Sequence, residues 1–343
     1  MSDFPFVFVA NAGDGSISTF RLVEGRLERL AVTDGVTGCS TFVIDGARDL
    51  LYAAVKKSEA RDAGILTLEI DRESGELTPR THLALPDGGM NYLALTRDGS
   101  ALLGASYGGG YGIACPVEGG VVGEPAARVE YPRLHSVLAS EDGRFAYFVS
   151  LKADLVAQYA LGDDLSLTPL TPATVACPDR SGPRHLVFSE AQDAVYVLTE
   201  FSGEALRFDR DAGSGVLEFR QAVPAYDVTK GLGHSVIDEN PRENHYIWGA
   251  DIHLANGMLW CSERTESTLA AVRIEADGSL VAPERFTVTE PQPRGFAVSP
   301  DGRFLVAAGE RSTTVSLYAV DGDGLELLQR AETGGGANWV RFA

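Results

Sequence analysis

Short runs of alternating apolar and polar residues, broken by Gly, Asp, Ser or Pro, occupy the chain from end to end. A side-chain period of two marks β-strands, and helical periodicity is almost absent. The runs also recur in register. The segment SPDGRFLVAA (299–308) has counterparts in SEDGRFAYFV (140–149), TRDGSALLGA (96–105), IDGARDLLYA (44–53) and SEAQDAVYVL (189–198). LANGMLWCS (254–262) is a shorter version, and FVFVANAGDGSI (6–17) enters the pattern without the turn. Each is followed by a third strand such as TVSLYAV (314–320) or TLAAVRI (268–274), then an Asp/Gly turn and a fourth strand.

A spacing of about 42–50 residues is that of four-stranded propeller blades. Seven units are present, but the first lacks its opening strand and ANWVRFA (337–343) is left without partners. The pattern therefore predicts an all-β, seven-bladed β-propeller of four-stranded antiparallel blades. In it the C-terminal strand joins the N-terminal blade and closes the ring, so no sheet edge is left free. Residues 1–343 read as a single domain, with two separate all-β domains as the alternative. One interval, between the fifth and sixth units, is longer and holds the connection 225–250. Long connections of this kind serve as lids or binding loops.

In an antiparallel meander, successive connections alternate between the two ends of the sheet. The start of strand one and the loop between strands two and three thus share one face of the disc, and strand one is innermost. Polar residues useful to a site should collect at those two places. The strand-one starts contribute Asn91–Tyr92, His135–Ser136, Arg184–His185, Asp251–His253, Arg294 and Asn338–Trp339. The loops contribute Lys56–Lys57, Ser106–Tyr107, Lys152, Glu200, Glu263–Arg264 and Glu310–Arg311. His135, Arg184, His185, His253, Arg264, Arg294 and Lys152 converge on one end of one channel. Gathering cations costs energy unless an anion compensates, so the inferred ligand is anionic.

Charge sharpens the picture. The 343 residues carry a net charge of −19, with 48 acidic against 29 basic side chains. Nucleic acid and anionic membrane surfaces need a cationic footprint and are excluded as partners. No apolar run is long enough to span a bilayer. The N-terminus MSDFPFVFVANAGDG lacks a basic n-region and reads as a strand, and Cys39, Cys115, Cys177 and Cys261 show no CxxC spacing. Buried free thiols and a cytoplasmic location are the expectation. A monomer or weak homo-oligomer is expected.

Blander readings stand beside these. Arg184 and Arg294 each follow a proline and could pair with Glu200 or Glu290 only to seal blade junctions. Any single histidine at a strand start could be a satisfied core residue. The run SYGGGYG (106–112) lacks the helix and the Lys-Ser/Thr of a phosphate loop. No HxH or HExxH spacing suggests a transition metal, while calcium held by carboxylates of different blades stays open because ring ligands are non-local.

At SGPRHLVF…VLTE, ADIHL…CSERTESTLAAVRI and PQPRGFAVSPDGRFLVAAGE the chain resembles the lactonase family of seven-bladed propellers. That family includes bacterial 6-phosphogluconolactonases and has carboxy-muconate cyclases as relatives. The resemblance runs from the first strand to GGGANWVRF. It implies a cofactor-free, metal-independent enzyme acting on a lactone of an acid. The matched motifs place the family's active-site positions on His135, Arg184, Glu200 and Arg264, with His185, His253, Arg294, Lys152 and Tyr107 as substrate-binding neighbours. Four departures stand out: PRLHS for the usual GxHS, Glu263 for the Asp of DRT, GANW for GPxW, and a longer 225–250 connection. They bear on whether the substrate carries a phosphate.

The expected chemistry is hydrolysis of a small anionic lactone. The arginines would stabilise the oxyanion, and Glu200 or His135 would take a proton from water. Nearby cations should keep Glu200 ionised and the histidines neutral. A lactonase for unphosphorylated aldono- or aldaro-lactones, a muconolactone-forming or -opening cyclase and a non-catalytic interaction platform are the alternatives. No GxSxG is present, so no covalent intermediate is implied.

Overall fold

The computed structural model describes residues 6–85 and 87–343. Seven antiparallel sheets each run from an inner strand to an outer one in simple meander order. Blade 1 consists of Phe6–Asn11, Ser16–Val23 and Arg26–Asp34, and its innermost strand is Ala337–Phe342. The closure pairs Val9 with Val340 and Ala10 with Trp339, and Trp339 Nε1 donates to the Phe42 carbonyl of the next blade at 2.8 Å. The inner strands of blades 2 to 7 are Phe42–Asp45, Tyr92–Leu95, Leu134–Ala139, Pro183–Phe188, Gly249–Ala255 and Gly295–Val298.

The repeated turn owes its sequence to its hydrogen bonds. In SPDGR, Ser299 Oγ donates to Asp301 Oδ1 at 2.6 Å and accepts from the Phe304 N–H, while Gly302 takes a left-handed φ of 69°. Ser140 with Asp142 and Thr96 with Asp98 repeat the arrangement. Asx and hydroxyl turns of this kind pin the register of the hairpin that follows. In SEAQD, Gln192 occupies the left-handed position instead of glycine.

The second strand of a blade is buried along its whole length, as in Leu50–Val55, Phe145–Ser150 and Ala194–Thr199. Neighbouring blades cover both of its faces, so these strands are nearly all apolar. The fourth strands are half exposed and tolerate proline, as at Pro79 and Pro169, because an edge strand can spare a donor. All four cysteines are buried and unpaired. Between blades 5 and 6 the long connection folds over the disc with a 3-10 turn at Val228–Lys230 and a bridge between Gly233 and Tyr246.

Candidate active site

Four inner strands are irregular in register: the closing strand at Asn338, and three others at residues of the site. Leu134 pairs with Ser150 and Ser136 with Val149, leaving His135 as the extra residue. Pro183 pairs with Thr199 and His185 with Leu198, leaving Arg184. Blade 6 skips from Gly249 to Ile252, leaving Ala250 and Asp251. A bulge bends its strand and re-aims a side chain that regular pleating would send elsewhere.

The result is a cavity of about 670 Å³ at the mouth of the channel, lined by His135, Arg184, Glu200, Trp248, Arg264, Arg294 and Glu310, among others. Glu200, one residue past the second strand of blade 5, is its hub. Its Oε2 accepts from Arg184 Nε at 2.7 Å and lies 2.9 Å from Arg264 Nη2, while Trp248 Nε1 donates to Oε1 at 3.3 Å. Arg264 lies 3.9 Å above the Trp248 ring and donates to the Gly249 carbonyl at 3.0 Å. Across the same cavity Arg294 pairs with Glu310 at 3.1 Å.

Burial alone would raise the Glu200 carboxyl, but Arg264, Arg184 and Arg294 outweigh it and hold it below the ordinary carboxylate range. It is ionised, with both oxygens engaged. His135 is the opposite case: burial, then the Arg184 charge, drives its imidazole well below 6.5, so the ring is neutral at pH 7. Asn91 donates to the His135 carbonyl at 2.6 Å and its amide sits 3.4 Å from Nδ1. It also accepts from the Tyr107 N–H, which ties the Tyr107 turn to His135. Nε2 of His135 has no partner among the described residues.

Behind the cavity wall lies a buried relay. Asp251 Oδ1 is 2.7 Å from His185 Nδ1, and His185 Nε2 is 3.0 Å from Arg184 Nη1. An arginine can only donate, so Nε2 accepts and the proton resides on Nδ1, facing Asp251. Burial and the Arg184 charge push the His185 pKa down to about 3, against the pull of Asp251. This neutral imidazole holds Arg184 in place, with help from the Ala250 carbonyl, which accepts from Arg184 Nη1 at 2.6 Å.

The family described as "Lactonase, 7-bladed beta-propeller" matches residues 6–342. The chain belongs to this family. A "6-phosphogluconolactonase" of Pectobacterium carotovorum is 32% identical over 342 residues, covering 97% of each chain. One of Klebsiella pneumoniae is 28% identical over 341 residues, again with 97% of each covered. Among solved structures, a putative 6-phosphogluconolactonase of Bacteroides uniformis superposes with a TM-score of 0.87 at 24% identity over the full length of both chains. The periplasmic gluconolactonase of Pseudomonas aeruginosa gives 0.85 at 23% over 99% of each. Structural similarity at such identities establishes the fold alone.

In this lactonase-family chain, six of the nine residues assigned a catalytic or binding role line the cavity: Tyr107, His135, Arg184, Glu200, Arg264 and Arg294. Three do not. His185 is buried behind Arg184, because the bulge sends the two neighbours to different surroundings. His253 packs its ring against Phe296 and bonds Asp251 at 3.1 Å. Lys152 is exposed on the turn after the second strand of blade 4, whose polar contacts are taken by Ser150 and the backbone. The glutamate partner of Arg294 is Glu310; Glu290 bonds Ser312, Thr314 and Ser316 instead.

Trp248, Asn91, Glu310 and the pair Lys56–Lys57 also line the cavity without having been assigned a role. All but Trp248 stand at the positions that topology marks. Trp248 precedes its inner strand by one residue, so the long connection delivers it. Glu263, which stands where DRT has Asp, accepts from the N–H groups of Trp248, Thr265 and Glu266 and thereby fastens that connection to the turn bearing Arg264. Among the described residues, no cluster of three or more His, Cys, Asp or Glu side chains is arranged to hold a metal ion.

Proposed function

We propose that this protein hydrolyses an anionic sugar-acid lactone to the open-chain acid without a metal. One observation carries the reading: a neutral, cavity-facing imidazole stands beside guanidiniums that a single partly buried carboxylate holds in place. His135 accepts a proton from the water that attacks the lactone carbonyl. Arg264, Arg184 and Arg294 supply donors for the oxyanion that forms there, an effect typically worth about 3 kcal/mol per donor. The proton on His135 then passes to the ring oxygen as the ester bond breaks. Glu200 is the positioning group: an ionised carboxylate already shared between two arginines is a weak base.

Support comes from family membership and from the names carried by the relatives. The four buried, unpaired thiols suit a reducing compartment.

The test is hydrolysis of phosphorylated and unphosphorylated aldono- and aldaro-lactones followed by pH-stat, with spontaneous opening subtracted and carboxy-muconate included. Catalysed opening of at least one sugar lactone is expected, and a loss of at least 100-fold in His135→Asn. Turnover of carboxy-muconate alone would transfer the site to a cyclase. No turnover of anything on the panel would remove the enzymatic reading.

A further inference from the structure

A second recess, of about 180 Å³, adjoins the channel-mouth cavity and is walled mainly by the long connection between blades 5 and 6. Tyr107, Glu200 and Trp248 line both spaces, so the two meet at these side chains. The junction is close to the chemistry: the Tyr107 ring centre lies 5.6 Å from that of His135, and Trp248 donates to Glu200. Phe201, Val236, Ile237 and Pro241 supply the apolar wall.

The walls are held by the fold. The Ser235 N–H donates to the Phe201 carbonyl at 3.1 Å and the Ile247 N–H to the Gly233 carbonyl at 2.8 Å, while Gly233 bridges Tyr246. Arg133 ties the connection to blades 3 and 4: it donates to Asp238 at 3.4 Å, and its guanidinium lies 4.8 Å from the centre of the Tyr107 ring. Arg264 packs on Trp248 in the same way. Val236 stays 43% exposed, an apolar side chain left uncovered on a wall shared with three aromatic residues. A preformed space with apolar and aromatic walls and a few polar groups is the usual form of a small-molecule site.

Size and charge select the occupant. An apolar cavity of about 150 Å³ accepts one benzene ring, so the recess has room for one six-membered ring. Asp238 and Glu239 also line it. Asp238 pairs with Arg133, while Glu239 accepts from Asn244 and has no cation beside it among the described residues. The surplus negative charge repels a phosphate or carboxylate, and ionised carboxylates only accept hydrogen bonds. The matching group is uncharged, has apolar faces for the aromatic wall and carries hydroxyls that donate outward. A pyranose fits that description. Resting on the lactonase reading, we propose that the recess seats a second, neutral sugar ring linked to the lactone. The substrate's negative charge stays with the arginines, and the glycosyl substituent lies against Phe201 and Val236. The preferred substrate is then a glycosylated sugar-acid lactone.

Steady-state kinetics on glucono-δ-lactone and its 4-O-glucosyl derivatives, cellobiono-δ-lactone and maltobiono-δ-lactone, test the assignment, because the three carry the same charge. At least one derivative should show a kcat/KM roughly tenfold above that of glucono-δ-lactone, about 1.4 kcal/mol. Val236→Trp, which fills the recess, should abolish that advantage while leaving glucono-δ-lactone within twofold. Glu239→Ala, which leaves the apolar wall intact, should raise KM for the favoured derivative about threefold and leave that for glucono-δ-lactone unchanged. Glucono-δ-lactone opened as fast as either derivative, an advantage that survives Val236→Trp, or turnover of charged monosaccharide lactones alone overturns the recess and leaves the lactonase reading intact. Should the wild type open no lactone at all, the lactonase reading fails by itself. Calorimetry with cellobionate and maltobionate then decides for the recess: binding that Val236→Trp weakens supports it, and no binding, or equal binding by both proteins, overturns it.

Discussion

At the scale of single residues, His135 and Glu200 divide the work that sequence reasoning left open between them. Their environments push them apart: neutral imidazole on one side, carboxylate locked under two guanidiniums on the other. His135→Asn should therefore cut kcat by roughly 10²–10⁴ with little change in KM. Because the His135 pKa lies well below 6.5, the acid limb of kcat/KM should also fall below pH 6.5; a limb at or above that value would assign the base elsewhere. His185 makes a prediction about stability. Its folded pKa is about 3, against an ordinary 6.5 in the unfolded chain. Between those values the unfolded state binds the extra proton, so stability falls as pH drops from 6.5 toward 3, by up to about 1.4 kcal/mol per unit. Urea unfolding from pH 7 to 4.5 should show this slope, and His185→Gln should flatten it. An equal slope in the variant would mean that burial and the Arg184 charge do not hold the ring neutral.

At the scale of elements, turns and strands were legible because their rules are local. A serine two residues before an aspartate and three before a glycine states its own hydrogen bonds. The bulges were not legible. Which inner strand admits an extra residue depends on the fit of its neighbours, and nothing in PRLHS or GPRHL announces it. Hence Arg184 and His185 were both assigned to the cavity, while only Arg184 reaches it. Lys152 failed for a related reason: topology fixes which face a loop occupies but not where a side chain on a turn points. Close approach between blades is a further long-range condition. A Cβ on Gly249 would collide with the Thr199 carbonyl oxygen of blade 5, and one on Gly295 with the Asn338 carbonyl oxygen of blade 1. Gly249 is the tighter constraint on chemistry, since its N–H bonds the Glu200 carbonyl and its own carbonyl takes Arg264. Gly249→Ala should separate blade 5, with Arg184 and Glu200, from blade 6, with Arg264. We expect loss of activity and a destabilisation of about 2 kcal/mol, measured by thermal unfolding and lactone hydrolysis. Full activity in a folded variant would show that the two blades need not touch here for the site to assemble.

At the scale of the whole molecule, the ring is held by one joint between strands far apart in sequence. Phe6–Asn11 is the second strand of its blade only because Ala337–Phe342 lies inside it, and the Phe6 and Ala343 backbones exchange hydrogen bonds at 3.0 and 3.2 Å. Asn11 secures the same joint through its side-chain oxygen, which accepts from Thr333 and from the Gly334 N–H. Removing residues 337–343 would uncover a fully buried strand, apolar from Phe6 to Ala10, with a row of free N–H and C=O groups at the channel, a template for pairing with other chains. It would also take Asn338 from the cavity lining. The truncated chain should lose lactone hydrolysis and elute as aggregate on size-exclusion chromatography with light scattering. Trp339→Phe is the graded version. It keeps a ring against Tyr92, whose centroid lies 5.4 Å away, but gives up the donor to Phe42 that links blades 1 and 2. One lost hydrogen bond to a buried carbonyl costs about 1–3 kcal/mol, so this variant should unfold at a lower temperature while remaining monodisperse. If the truncated chain stayed monodisperse with a single cooperative transition, closure of the ring would be a convenience of the fold and not the condition that holds seven blades around one site.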